Sequence, residues 1–126
     1  MDAMYTLDTN AIIYYLKGDH GVEVVVDKII ESESPLYVST ITEVELFGFA
    51  ALTSEEMELI NQLLTTVAII PLDSRVARIA GALRRRYHTK VPDSIIAATA
   101  LITHTTLVTR NVKDFKSISG LMLKAL

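Results

Sequence analysis

The stretch Thr6-Leu7-Asp8-Thr9-Asn10 sets one carboxylate and two small polar side chains at the seam between an apolar strand, read over residues 4–7, and an apolar helix, read over 11–16 and closed by Gly18. Acidic residues stand at three later points of the same kind, Glu43, Asp93 and Asp114, each beside a run that is apolar or nearly so. The pattern predicts that these carboxylates meet in one cleft and hold a divalent metal.

Outward from that seam, helices and strands alternate. Val22, Val25, Val26, Ile29 and Ile30 recur at helical spacing and predict a helix over 22–32, followed by a strand over 35–39 and a helix over 40–52. Thr53-Ser54-Glu55-Glu56 has the form of a capping box, in which a hydroxyl caps free amides and a glutamate reaches back, so 54–65 is read as helix. A strand over 67–72, an N-cap at Asp73 or Ser74, and a helix over 75–88 come next. A loop through Lys90 and Pro92 leads to a helix over 94–104, a strand over 106–109, a helical turn over 112–115 and a last strand over 121–123. The strands show little inward and outward alternation, which predicts a mostly parallel five-stranded sheet covered on both faces: an α/β fold of the three-layer α/β/α kind. Ligands bind such folds outside the carboxyl ends of the strands, where Asp8, Glu43 and residues 111–114 fall. Asp93 instead begins a helix after a loop, and spacing alone does not bring it there.

The 126 residues fit one domain spanning 1–126, which buries roughly two-thirds of the surface of the open chain. Half the residues are hydrophobic and 21% are charged, the balance of an ordinary globular protein rather than a disordered one. The absence of cysteine excludes disulfides, thiolate metal sites and thiol nucleophiles. A run of five residues between Asp2 and Asp8 is too short for a signal peptide, and residues 94–109 are too polar to span a membrane. The expectation is a cytoplasmic protein. The net charge of −3 hides an asymmetry: residues 1–72 hold twelve acids against Lys17 and Lys28, and residues 73–126 hold ten bases against Asp73, Asp93 and Asp114. Such a split suits one face to a polyanion, although opposite halves attracting across the fold account for it as well.

Each acid also has a purely structural reading. Asp8 and Asp93 fit as N-caps of the helices that follow them, Thr40 to Glu43 fits a capping box, and Asp114 fits the cap of a short turn. Against those readings, Glu43 and Asp93 border segments that should be buried, where crowded carboxylates repel and titrate upward unless a cation joins them. Magnesium and manganese take oxygen ligands and keep several waters, so a few converging carboxylates suffice and neither cysteine nor histidine is required. His20, His88 and His104 show no ligand spacing and read as surface or helix-end residues.

Leu7-Asp8-Thr9-Asn10, residues 39–46 with Glu43, Asp93-Ser94-Ile95-Ile96-Ala97-Ala98-Thr99-Ala100 and Leu107-Val108-Thr109-Arg110-Asn111-Val112-Lys113-Asp114-Phe115 resemble, in order and spacing, the PIN-domain ribonucleases, and most of all the small VapC-type toxins of VapBC pairs. The resemblance covers nearly the whole chain. It implies a Mg2+ or Mn2+ site and endonucleolytic hydrolysis of RNA by metal-activated water, with Asp8, Glu43 and Asp93 as the acids tied to metal and Asp114 assisting. Family members often carry an acid where this chain has Asn111, an amide that can still coordinate or hydrogen-bond. Thr9 and Thr109 would orient carboxylates or water. Arg84, Arg85, Arg86, Lys90, Arg110 and Lys113 would contact RNA phosphates, the Arg84 to Arg86 run reading equally as a solvated helix end. The implied partners are RNA, a small antitoxin covering the acidic cleft, and a second copy in a homodimer; the apolar regions 10–30 and 44–52 are either its groove or core. The alternative readings are a non-catalytic or housekeeping RNA-binding module of the same fold, and a phosphatase with Asp8 as nucleophile. That phosphatase chemistry wants a second aspartate where Asn10 stands.

Overall fold

The computed structural model describes residues 3–126. The parallel sheet read from the sequence is present: β1 (Tyr5–Leu7), β2 (Leu36–Ser39), β3 (Ala68–Ile70), β4 (Thr106–Thr109) and β5 (Leu123–Ala125) lie in the order β3-β2-β1-β4-β5, every neighbouring pair parallel. The helices are α1 (Thr9–Leu16), α2 (His20–Glu31), α3 (Thr40–Phe47), α4 (Ser54–Leu64), α5 (Ser74–Tyr87), α6 (Val91–Thr103) and α7 (Val112–Phe115). The chain builds outward from β1 through β2 to β3, then returns to lay β4 on the other side of β1. That reversal opens a crevice past the carboxyl ends of β1 and β4.

Side chains alternate across each strand, so Leu107 and Val108, both fully buried, enter different cores. Leu107 packs with Val76, Ala80, Ile96 and Phe115 under α5, α6 and α7. Val108 packs with Leu7, Ile12, Ile29, Val38 and Ile60 under α1, α2 and α4. The two cores lie on opposite faces of the sheet, each between it and a layer of helices. Each of residues 94–100 of α6 is buried, which explains why that stretch carries no charge at all. No helix among the described residues is long and apolar enough to cross a membrane.

Local chemistry fixes the boundaries. Thr53 and Glu56 form the expected capping box, Glu56 N–H donating to Thr53 Oγ1 at 3.1 Å and Thr53 N–H to Glu56 Oε1 at 3.2 Å. Asp73 caps α5 through Val76 N–H at 3.0 Å. Most boundaries shift by a residue or two from the sequence reading, and three shifts have a local cause. The helix read over 40–52 ends at Phe47, with Gly48 as its cap; a Cβ there would stand 2.7 Å from the Val44 carbonyl oxygen. Helix α6 starts at Val91 rather than at residue 94, because Pro92 falls in the first turn, where a missing N–H breaks no helical bond. The last strand is displaced to Leu123–Ala125 by a turn at Gly120, whose φ of +81° suits glycine.

Candidate active site

Asp8 leaves β1 with an extended backbone and occupies the N-cap position of α1, yet its side chain caps nothing. Its carboxylate accepts instead from the Thr109 hydroxyl at 2.8 Å, across the crevice between β1 and β4. Only 3% of Asp8 is exposed. Burial pushes its carboxyl up to about 6; the Thr109 hydrogen bond opposes that, and the charges of Asp93 and Glu45 add to it.

Asp93, in contrast, does not hold an N-cap position. Lys90 holds that position, and Asp93 sits in the first turn of α6. Its carboxyl is likewise raised, by burial first and then by the charges of Asp114 and Glu45, with Lys90 pulling the other way. Asp93 and Glu45 thus act on Asp8, and Asp114 and Glu45 on Asp93, which links acids from four places in the chain. Thr109 links the corners: its hydroxyl serves Asp8 and accepts from Asn111 N–H at 2.9 Å. Asn111 precedes α7 with no side-chain capping bond, and Asp114 N–H donates to its carbonyl at 3.0 Å.

The glutamate that joins this group is Glu45, which the sequence reading passed over in favour of Glu43. Thr9 Oγ1 donates to Glu45 Oε1 at 2.7 Å and lies 3.0 Å from the buried Thr42 hydroxyl. Glu43 is on the same helix but two residues away, about 200° around the axis, and its charge is not among those acting on Asp8 or Asp93. The Thr40 to Glu43 capping box does not form either: Ser39 caps α3 by accepting from Ile41 N–H, and Thr40 Oγ1 accepts from Leu72 N–H. The helical phase does not choose between the two: Thr42 and Leu46 mark the buried face of α3, Glu45 flanks it three residues from Thr42, Glu43 flanks its other side three residues from Leu46, and both are half-buried. What singles out Glu45 is its hydrogen bond from Thr9 of α1.

The acids interact without sharing one coordination sphere: among the described residues, no three Asp, Glu, His or Cys side chains stand close enough to hold a metal as they are. The donors are nonetheless of the right kind, carboxylate oxygens that suit hard cations keeping part of their water shell.

The cations expected at phosphates are placed differently from one another. Arg84 to Arg86 form the exposed last turn of α5; Arg84 Nη1 donates to the Thr89 carbonyl and Arg86 lies 5.5 Å from the Tyr87 ring centre. Lys90 borders Asp93, and Lys113 is exposed on α7. Arg110 is engaged by Asp19 in the single ion pair among the described residues. An apolar groove of about 200 Å³, lined by Ile13, Leu16, Leu46, Phe49, Leu52 and Ile60 with Lys17 and Glu56, lies beside a second hollow containing Thr9, Asn10 and Glu45. Ile13 and Phe49 line both, so the groove continues to Glu45.

A parallel sheet in this strand order, with carboxylates gathered at its switch point, defines an α/β protein with an acidic cleft. The chain belongs to the PIN-domain family, whose model matches residues 5–121. It is 32% identical over 119 residues to "Ribonuclease VapC10" of Mycobacterium tuberculosis, covering 89% of this chain and 86% of that protein. It is 28% identical over 117 residues to "Ribonuclease VapC19" of the same organism, covering 89% and 92%. Among solved structures, a toxin-antitoxin complex from Klebsiella pneumoniae matches with a TM-score of 0.77 and 32% identity over 94% of this chain and 95% of that one. VapBC2 from Rickettsia felis, bound to a DNA fragment from its promoter, shares the fold with a TM-score of 0.83 at 24% identity over 98% of both chains.

Proposed function

We propose that this chain is a metal-dependent endoribonuclease, the toxin of a toxin-antitoxin pair, acting as a single domain over residues 1–126. The observation that carries the proposal is Asp8: a carboxylate almost fully buried, pushed up to about 6, facing the charges of Asp93 and Glu45 with no lysine or arginine paired to it among the described residues. A fold keeps such a group at a stability cost when the group has chemistry to do. The kinship with the two mycobacterial ribonucleases supplies the substrate class.

Asp8, Glu45 and Asp93 would hold Mg2+ or Mn2+, with Asp114 adding charge beside Asp93. The ion supplies charge to offset the scissile phosphate and acidity to a nearby water. Thr109 fixes the Asp8 carboxylate and Thr9 fixes that of Glu45, so both acids are held in place before substrate arrives. Asn111, joined to Thr109 through its backbone, lines the same edge of the cleft. Arg84, Arg85, Arg86, Lys90 and Lys113 are the cations available to the RNA backbone; such contacts position the strand without reading its sequence.

The same proposal gives the apolar groove an occupant. A small antitoxin would lay apolar side chains between α1, α3 and α4 and carry a basic side chain along the groove into the cleft near Glu45. A second copy of the chain is the further partner proposed. The setting proposed is the cytoplasm. Purified protein freed of antitoxin should cut RNA when Mg2+ or Mn2+ is added, and Asp8→Asn or Asp93→Asn should abolish cutting. Cleavage by either variant at the wild-type rate would remove the basis of the proposal.

A further inference from the structure

Arg110 follows β4 directly, between Thr109, whose hydroxyl is bonded to Asp8, and the segment carrying Asn111 and Asp114. The sequence reading set it among the phosphate-contacting cations, yet its guanidinium is occupied within the fold. Nη1 and Nη2 donate to the two carboxylate oxygens of Asp19, each at 3.2 Å. The same group lies over the Tyr14 ring, its Cζ 4.4 Å from the ring centre. Asp19 is itself anchored: Oδ1 accepts from Val22 N–H at 3.1 Å to cap α2, and the Asp19 N–H donates to the Tyr14 carbonyl at 3.0 Å. The end of α1, the start of α2 and the junction of β4 with α7 therefore meet at one planar group.

A two-point fork combined with stacking fixes both the direction and the plane of a guanidinium, which an ammonium cannot reproduce. Downstream, Phe115 anchors α7 in the core, and upstream Thr109 is tied to Asp8. The residues between them are held by the Asn111 N–H bond to Thr109, the Asp114 N–H bond to Asn111, and the Arg110 side chain. The pair is partly exposed, 36% for Arg110 and 29% for Asp19, so its effect on overall stability is small. What it restrains is the segment that brings Asp114 toward Asp93.

We propose that Arg110 is a positioning residue: by clamping Asp19 and stacking on Tyr14 it fixes the backbone of residues 110–114, and with it the place of Asn111 and Asp114 at the cleft. The consequence for turnover rests on the ribonuclease reading; the consequence for the segment does not. The test compares Arg110→Ala, Arg110→Lys, Asp19→Asn and the Arg110→Ala/Asp19→Asn double variant in the full chain. It measures kcat and KM on a short RNA at fixed salt, together with amide hydrogen exchange over 111–114. Asparagine caps a helix about as well as aspartate, so Asp19→Asn removes the clamp and keeps the cap.

Each single variant should lower kcat about tenfold with KM moved by less than about twofold, as expected when reacting groups are displaced rather than binding lost. Lysine at 110 should fail to restore turnover, the double variant should be no worse than the worse single one, and exchange at 111–114 should quicken in all four. A phosphate contact predicts the opposite: Arg110→Ala raises KM, lysine restores it, and Asp19→Asn lowers KM by releasing the guanidinium. That outcome overturns the proposal. If the wild-type protein cuts no RNA, the ribonuclease reading fails and exchange decides alone: unchanged exchange in Arg110→Ala and Asp19→Asn overturns the clamp, and faster exchange in both sustains it.

Discussion

Replacing Asp8 by asparagine keeps the shape of the side chain and its capacity to accept from Thr109, while removing the charge that burial, Asp93 and Glu45 all oppose. The carboxyl titrates at 3.8 in an open chain and at about 6 in the fold. As pH rises between those values the unfolded chain releases its proton first, so the native state loses stability across that window and regains none above it. At about 1.4 kcal/mol for each tenfold difference in acidity, the deficit grows to about 3 kcal/mol at neutral pH and is only about 1 kcal/mol at pH 4.5. In metal-free buffer, Asp8→Asn should therefore unfold at higher urea than the wild type at pH 7.5, by the equivalent of about 3 kcal/mol, with the gap narrowing to about 1 kcal/mol at pH 4.5. Added Mg2+ should stabilise the wild type and narrow the gap at pH 7.5, since an ion that binds only the native state favours it by mass action. A variant less stable than the wild type at pH 7.5 without metal would refute the reasoning, because it would mean that the Asp8 charge supports the fold rather than burdening it.

Glu45→Gln should reduce RNA cleavage by about 100-fold or more, whereas Glu43→Gln should stay within about twofold of the wild type; the reverse order in a cleavage time course would return the role to Glu43. Alanine at Arg84, Arg85 or Arg86 should each weaken RNA binding and reduce the slope of log affinity against log salt by roughly 0.7 where that side chain meets a phosphate, and an unchanged slope for all three would mark the turn as a solvated helix end. His104 ends α6 at φ +55° in the left-handed region, exposed and with no side-chain hydrogen bond to the described residues, so His104→Gly should raise stability by about 0.5–1 kcal/mol in urea unfolding; a loss would show that the imidazole contributes something the backbone geometry does not.

The sheet was legible because strands covered on both faces carry uninterrupted apolar runs, as Leu107 and Val108 do, and because polar residues such as those at Thr53 and Asp73 announce helix starts by local bonds alone. Asp8 could be placed for the same reason: a strand end is a local feature. Glu45 was missed because the two glutamates flank the buried face of α3 alike, and what tells them apart is the contact of Glu45 with Thr9, a partner 36 positions away in sequence. Asp8 holds the N-cap position read for it, but its carboxylate goes to Thr109, 101 residues downstream, and the cap position read for Asp93 belongs to Lys90, three residues before it. Arg110 shows the limit most clearly. Nothing near it in sequence indicates that its partner is Asp19, ninety-one positions away, and a cation beside a candidate site reads as a phosphate ligand until the fold shows its guanidinium already held.

The central claim is that a divalent cation binds among Asp8, Glu45 and Asp93. Manganese titrated into isotope-labelled protein tests this directly, because the ion broadens the resonances of nuclei near it. The expected result is saturable loss of signal centred on residues 8–9, 45 and 93–94, extending to 111–114 and abolished by Asp8→Asn. Broadening centred elsewhere, on the acidic start of α4 at Glu55 and Glu56 for example, or persisting undiminished in Asp8→Asn, would contradict the account.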